Sequence, residues 1–314
     1  MYQKSVVKKQ KNKDEKEISA LITLLDDPDK EVFKHVFLEL RALGNEIIPE
    51  LETQWEDADA PVLQKRIEEL IHDIQFDDLL TDFDQWLKMD HDNLINGIYL
   101  INKFLYPGIE FEFIKNKIDR IKQDIAIEIN EYLTPIEKVK VLNHIIYSIH
   151  KFEGDPDNFT HPGSFFISNL IESKKGNSTS LGMLYLILVQ ELDIPIYGVN
   201  LPHHFILAYV DTDKQHLLLF DEEQEEKVLF YINPFNEGAI FSKKEIGIYL
   251  EKLNIQKDPH SEEFNQKYFT PIEHSEVIQV LISQLIIIYQ SIGDKDKMDE
   301  LEIILNKIKD HYLD

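Results

Sequence analysis

The chain has 314 residues, 43% of them hydrophobic, enough for a substantial core without metal or disulfide support. It contains no cysteine, which excludes structural disulfides, thiolate metal sites and cysteine-based catalysis. Asp and Glu outnumber Lys and Arg by 58 to 33, and the formal net charge of −25 repels phosphate backbones and anionic lipid, so neither nucleic acid nor membrane is expected as a partner.

Residues 1–16 are lysine-rich but lack the apolar run of a signal peptide; they are read as a disordered tail on a cytoplasmic protein. Helical periodicity begins at once. Ile18, Leu21, Ile22 and Leu25 form one apolar stripe, Val32, Phe33, Val36, Phe37, Leu40 and Leu43 a second, and Leu63, Ile67, Leu70, Ile71 and Ile74 a third. Asp26-Asp27-Pro28-Asp29 separates the first two, and Gly44 closes the second. These predict paired antiparallel helices over residues 17–80. The stretch Leu21 to Glu56 resembles a HEAT-type repeat, and any set of helical hairpins would satisfy the same pattern.

Further along, Thr134-Pro135-Ile136-Glu137 and Thr270-Pro271-Ile272-Glu273 each combine a capping threonine, proline at the first helical position and glutamate at the third, so each predicts a helix start. Ser242-Lys243-Lys244-Glu245 predicts another. Between them, Phe205 to Val210, Leu217 to Phe220 and Val228 to Ile232 are short β-rich runs, and they predict one small antiparallel sheet between about Ile196 and Ile232. The acidic run Asp221 to Glu226 is read as a solvated hairpin tip rather than a site for a basic partner. Val277 to Tyr289 is apolar but interrupted by Gln279, Ser283 and Gln284, and is shorter than the ~20 residues of a membrane span, so it predicts a buried helix. Ser275 to Leu313 holds two amphipathic helices broken at Gly293-Asp294; they weakly resemble a tetratricopeptide-like tail, and a helical hairpin docked on the core is the preferred reading.

The segment Leu181 to Leu192 is apolar nearly all round, as expected of a helix in the middle of a domain. Gly176-Asn177-Ser178-Thr179-Ser180 precedes it, Pro202-His203-His204-Phe205 follows on a predicted strand, and Tyr231-Ile232-Asn233-Pro234-Phe235 lies on another. With Phe152-Glu153-Gly154-Asp155 upstream, this ordered set resembles the transglutaminase-like superfamily, and within it the bacterial SirB-type branch. That branch is read from "F-x-G-N", a "G-x-P" helix start, "PGHF" and "DPF". The resemblance covers roughly residues 90–250. It implies a cysteine at the start of the buried helix, a histidine on the next strand and an aspartate on the strand after. Carried over by position, those places hold Ser178, His204 and Asn233. The SirB-type branch itself commonly lacks the cysteine.

The chemistry of that set is poor. A hydroxyl at a helix N-terminus gains far less from the dipole than a thiol of pKa ~8.5, and needs a strong base. Asparagine can hold an imidazole in one tautomer but cannot stabilise the imidazolium as a carboxylate does. The same Asn177 to Ser180 run also consists of preferred N-cap residues, which asks for no catalysis. His203 and His204 point to opposite strand faces and cannot share a metal ion, and His161 and the other histidines lack ligand spacing, so no metal and no cofactor are expected.

The reading is thus an α+β, mostly helical protein: a tail (1–16), a HEAT-like helical region (17–80), a papain/transglutaminase-like core with a helical lead-in (81–256) and a helical C-terminal hairpin (257–314). The expected role is non-catalytic, a module for a protein or peptide partner. The alternatives are a weak serine-based hydrolase or acyl transferase using Ser178, His204 and Asn233, and a purely structural scaffold.

Overall fold

A computed structural model describes residues 17–89, 91–211, 228–255 and 261–311. The expected tail (1–16), the predicted strand Leu217–Phe220 and the acidic run Asp221–Glu226 lie outside the described residues. The chain divides into two compact units, one ending at Asp84 and the other beginning at Gln85.

In the first unit a helix over residues 17–24 (α1) is followed by α2 (Lys30–Ala42), a 3-10 turn, α3 (Ile48–Asp57) and the greater part of α4 (Pro61–Met89). Asp29 caps α2 by accepting from the Glu31 N–H at 2.9 Å. The three apolar stripes meet in one cluster, in which Ile22, Leu25, Val36, Leu40, Ile67 and Leu70 are buried. Arg41 on α2 donates to Asp73 and Asp77 on α4, each at 2.6 Å, and so fixes the angle at which those helices meet. The apolar repeat continues past residue 80, through Phe83, Trp86 and Leu87, and α4 continues with it to Met89.

The second unit begins with α5 (Leu94–Leu105), α6 (Phe111–Glu128) and α7 (Pro135–Asn143), and α7 runs directly into a π-helical turn, His144–Ile149. Thr134 caps α7 as expected: its hydroxyl accepts from the Glu137 N–H at 3.3 Å, and the Glu137 carboxylate accepts from the Thr134 N–H at 2.9 Å. Next come β1 (Glu153–Gly154), α8 (Ile167–Ser173), β2 (Lys175–Gly176) and α9 (Ser178–Gln190). α9 is the axis of the unit. Every residue from Ser178 to Val189 is buried, and α5, α6, α8 and the sheet all pack on it.

The sheet runs β3 (Ile196–Leu201), β4 (His204–Val210), β5 (Val228–Asn233), β6 (Ala239–Phe241), in that order and antiparallel. Because side chains alternate along a strand, Phe205 and Leu207 point one way, and Ile206 and Ala208 the other. Phe205 lies between Gly182 of α9 and Gly198 of β3, where an added Cβ would meet its ring at 2.5 and 2.6 Å; only glycine at both places lets helix and sheet close on it. The opposite face of the sheet, with Val199, Ile206, Ala208 and Tyr231, is covered by α10 (Lys243–Lys252) and α11 (Glu262–Phe269) through Ile246, Leu250 and Phe269. The last helices, α12 (His274–Ile292) and α13 (Lys295–His311), break at Gly293, whose φ of +78° ends α12.

The architecture is therefore α+β and mostly helical with one small antiparallel four-stranded sheet, as expected. Two features depart from the sequence reading. β6 and the parallel pair β1–β2 extend the β structure beyond the predicted Ile196–Ile232 segment. Thr270-Pro271-Ile272-Glu273 does not start a helix. α12 begins at His274, with the Glu273 N–H donating to the Glu276 carboxylate at 3.0 Å, and Ile272 donates its N–H to the Gly198 carbonyl on the outer edge of β3 at 2.9 Å. An open strand edge captured this segment against its capping signal. At the far end of α9, Gln190 accepts from the Leu94 N–H at 3.0 Å, which turns its amide nitrogen towards His274 Nδ1, 2.8 Å away. Among the described residues no helix is long and apolar enough to cross a membrane.

Candidate functional site

The four sequence signatures, scattered over more than eighty positions, meet at one place. Gly154 and Gly176 pair in the β1–β2 ladder, and an added Cβ on Gly154 would lie 2.6 Å from the Phe235 carbonyl, so the first and last signatures touch through a glycine. Asp155 accepts from the Asp157 and Asn158 N–H groups and shapes the turn that presents Phe159. The Phe159 carbonyl accepts from the Asn177 side chain at 3.3 Å, while its ring meets those of Phe235 and His204 edge-on at 5.3 and 5.6 Å. The Tyr147 hydroxyl, on the π-helical turn, donates to the Pro234 carbonyl at 2.9 Å and braces the third side; burial pushes that phenol far above its ordinary pKa.

Of the residues at the helix start, Asn177 is the N-cap. Its Oδ1 accepts from the Thr179 and Ser180 N–H groups at 3.0 and 2.9 Å. Ser178 is the first helical residue, only 2% exposed, and its hydroxyl oxygen accepts from the Phe205 N–H at 3.2 Å. The register explains why that N–H is free: Phe205 faces Asn200 in β3, and β5 ends before reaching it. Ser178 thus closes a gap in the sheet next to His204.

His204 opens β4 after the two-residue turn Pro202-His203. His203 has φ +60°, the position where "PGHF" places glycine; histidine occupies the left-handed region more readily than most residues, and proline before it suits a type II turn. The His204 ring leaves the strand on the side of Ile206 and is boxed by Phe159, Phe235 and Tyr249. Among the described residues its buried Nδ1 has no hydrogen-bond partner. Burial, helped by the neighbouring His203, lowers the imidazole pKa, so the ring is neutral at pH 7. Asn233 ends β5, and its Oδ1 accepts from the Phe235 and Asn236 N–H groups at 3.1 and 3.3 Å, capping its own 3-10 turn. Among the described residues, no hydrogen bond links the His204 ring to Ser178 or to Asn233.

A cavity of about 610 Å³ opens beside Ser178, in the size range of ligand pockets. Phe159, Phe165, Leu201 and Ile288 give it apolar walls, and Asn200, Ser178, Thr179 and Gln284 add polar groups. Thr179 donates to the Gln284 carboxamide oxygen across it. Among the described residues, His203, Lys267 and Tyr268 supply its ionisable groups, and His204 is not part of its wall. Sequence reasoning missed Phe159, Asn200, Lys267 and Gln284. They come from separate elements, carry no spacing signal, and only the fold assembles them. Among the described residues no cluster of three His, Asp or Glu could hold a metal ion.

A buried helix whose first turn is tied to a histidine-bearing strand, with the turn after the next strand closing the site, is the arrangement that the resemblance to transglutaminase-like proteins implies. The family model described as the Transglutaminase-like superfamily matches residues 112–283, and the chain belongs to that superfamily. Its relatives agree with the SirB-type branch. The chain is 23% identical over 192 residues to Protein SirB1 of Salmonella typhimurium, covering 61% of this chain and 65% of that protein. It is 23% identical over 157 residues to a UPF0162 protein of Vibrio cholerae (50% and 53%), and 22% identical over 173 residues to F-box only protein 21 of Homo sapiens (55% and 24%). The matched stretch thus spans about half to two thirds of the bacterial relatives' own length. No solved structure matches the chain significantly.

Proposed function

We propose that this is a non-catalytic transglutaminase-like module that binds a protein or peptide segment in the cavity beside Ser178. The observation that carries the reading is the state of the three triad positions. Among the described residues, the Ser178 oxygen is occupied by the Phe205 N–H, the Asn233 oxygen by its own turn, and the His204 Nδ1 by nothing. A buried neutral imidazole with no orienting partner cannot take the proton of a hydroxyl effectively, and a serine without that base attacks neither esters nor amides. What remains is a preformed apolar cavity with polar side chains on its walls, which is the composition of a binding site.

A second reading, the weak serine-based hydrolase or acyl transferase, draws on one fact: the Ser178 residue still lines the cavity. A panel of activated esters and peptide amides, run with the native chain and with Ser178→Ala, separates the two. The binding reading expects background hydrolysis from both proteins. Turnover that vanishes in Ser178→Ala would establish the hydrolase instead.

A further inference from the structure

Among the described residues, the cavity reaches an open part of a sheet edge, and the charge on its wall is opposite in sign to the net charge of the chain. β3 is the outer strand of its sheet. Ile272 occupies Gly198 on that edge, so the N–H and C=O of Gly198 face outward, and by the two-residue alternation of an antiparallel ladder those of Asn200 do too. Phe205, the partner of Asn200 in β4, fits the same pattern, because its N–H also turns away from β3, to Ser178. Asn200 lines the cavity, so the edge beyond Ile272 opens into it. Although the chain carries 58 Asp and Glu residues, among the described residues none lines this cavity, and Lys267 is the one permanent charge on its wall. The positive end of α9 points the same way, since Asn177, Ser178 and Thr179 form part of the wall.

We infer that the cavity receives the carboxy-terminal end of a peptide, which pairs as a strand with β3 at Asn200, sets an apolar last side chain among Phe159, Phe165 and Ile288, and turns its carboxylate towards Lys267. This rests on the peptide-binding reading above. A peptide is preferred to an alkyl acid because the wall offers backbone and carboxamide hydrogen-bonding groups at Asn200 and Gln284, which an alkyl chain would leave unpaired. A terminal carboxylate is preferred to a neutral end because it alone uses the charge at Lys267.

The test is fluorescence anisotropy on the full chain, using a fluorescein-labelled hexapeptide ending in Leu-Leu as the free acid and as the C-terminal amide, with octanoate as a third probe. The acid should bind about tenfold or more tighter than the amide, and Lys267→Gln should bring the ratio close to one. Ile287→Asp, at an exposed position on the cavity wall, should weaken the acid more than the amide; circular dichroism confirms that both variants are folded. Equal binding of acid and amide would overturn the carboxylate assignment and leave the peptide-binding reading standing. Octanoate binding with neither peptide bound, or no binding by any probe, would overturn both.

Discussion

The start of α9 and the start of β4 lie against each other and treat their polar groups in opposite ways. From Asn177 to Ser180, four successive polar residues are buried and each side chain has a partner: backbone N–H groups, the Phe159 carbonyl, the Phe205 N–H or Gln284. At His204 a polar ring sits among three aromatic rings with Nδ1 unpartnered. The helix start is what folding alone would select, because Asn177, Ser178 and Ser180 each satisfy a backbone N–H there and Thr179 pairs with the Gln284 side chain. The imidazole is not, because a phenyl ring would fill the same box without a buried, unpaired nitrogen. The two starts thus contrast a region whose buried polar groups the fold itself explains with one polar ring that it does not.

That contrast breaks most readily at Asn177. Asn177→Ala removes the cap from two buried N–H groups and a contact to the Phe159 loop, and should cost about 2–3 kcal/mol in urea unfolding. A loss below about 0.5 kcal/mol would mean that the helix start is not held by its polar groups. At His204 the opposite is expected. His204→Phe should leave stability unchanged or raise it by up to about 1 kcal/mol, and a loss above about 1 kcal/mol would show that the imidazole is structurally employed. The smallest effect concerns pH. Burial lowers the pKa of both His204 and His274; at His274 the nearby Glu273 and Asp92 partly oppose this. Each folded-state pKa lies below its unfolded value, so as the pH falls through the ordinary histidine range the unfolded chain takes up protons first. Stability should therefore fall between about pH 7 and pH 5. The doubly substituted His204→Phe, His274→Gln protein should show a flatter profile in the same titration.

Much of this site was legible from residues alone, because glycine, proline and capping residues report local backbone demands. The signatures around Gly154, Gly176, Pro202 and Pro234 mark places where the chain turns or approaches itself closely, and those places converge in the fold. What escaped the sequence depends on contacts between distant segments. Thr270-Pro271 has the chemistry of a helix start, but the β3 edge claimed Ile272. β1 and β2 are two residues each, too short for any periodicity to register. Lys267 and Asn200 join Ser178 around the cavity only because α11 and β3 are packed together.

The π-helical turn His144–Ile149 fixes the length of the chain. Its i to i+5 bonding, seen where the His150 N–H donates to the Ile145 carbonyl at 2.9 Å, accommodates one residue more than an α-helix would over the same span. Each helical residue turns the helix by roughly 100°. Deleting a residue between Asn143 and Tyr147 would swing the Tyr147 hydroxyl away from Pro234 or the Asn143 amide away from Gly238, since the two contacts are held on opposite sides of the inserted position. Homologous chains that keep both contacts must therefore keep the residue count of this segment, even where every side chain between the anchors has changed.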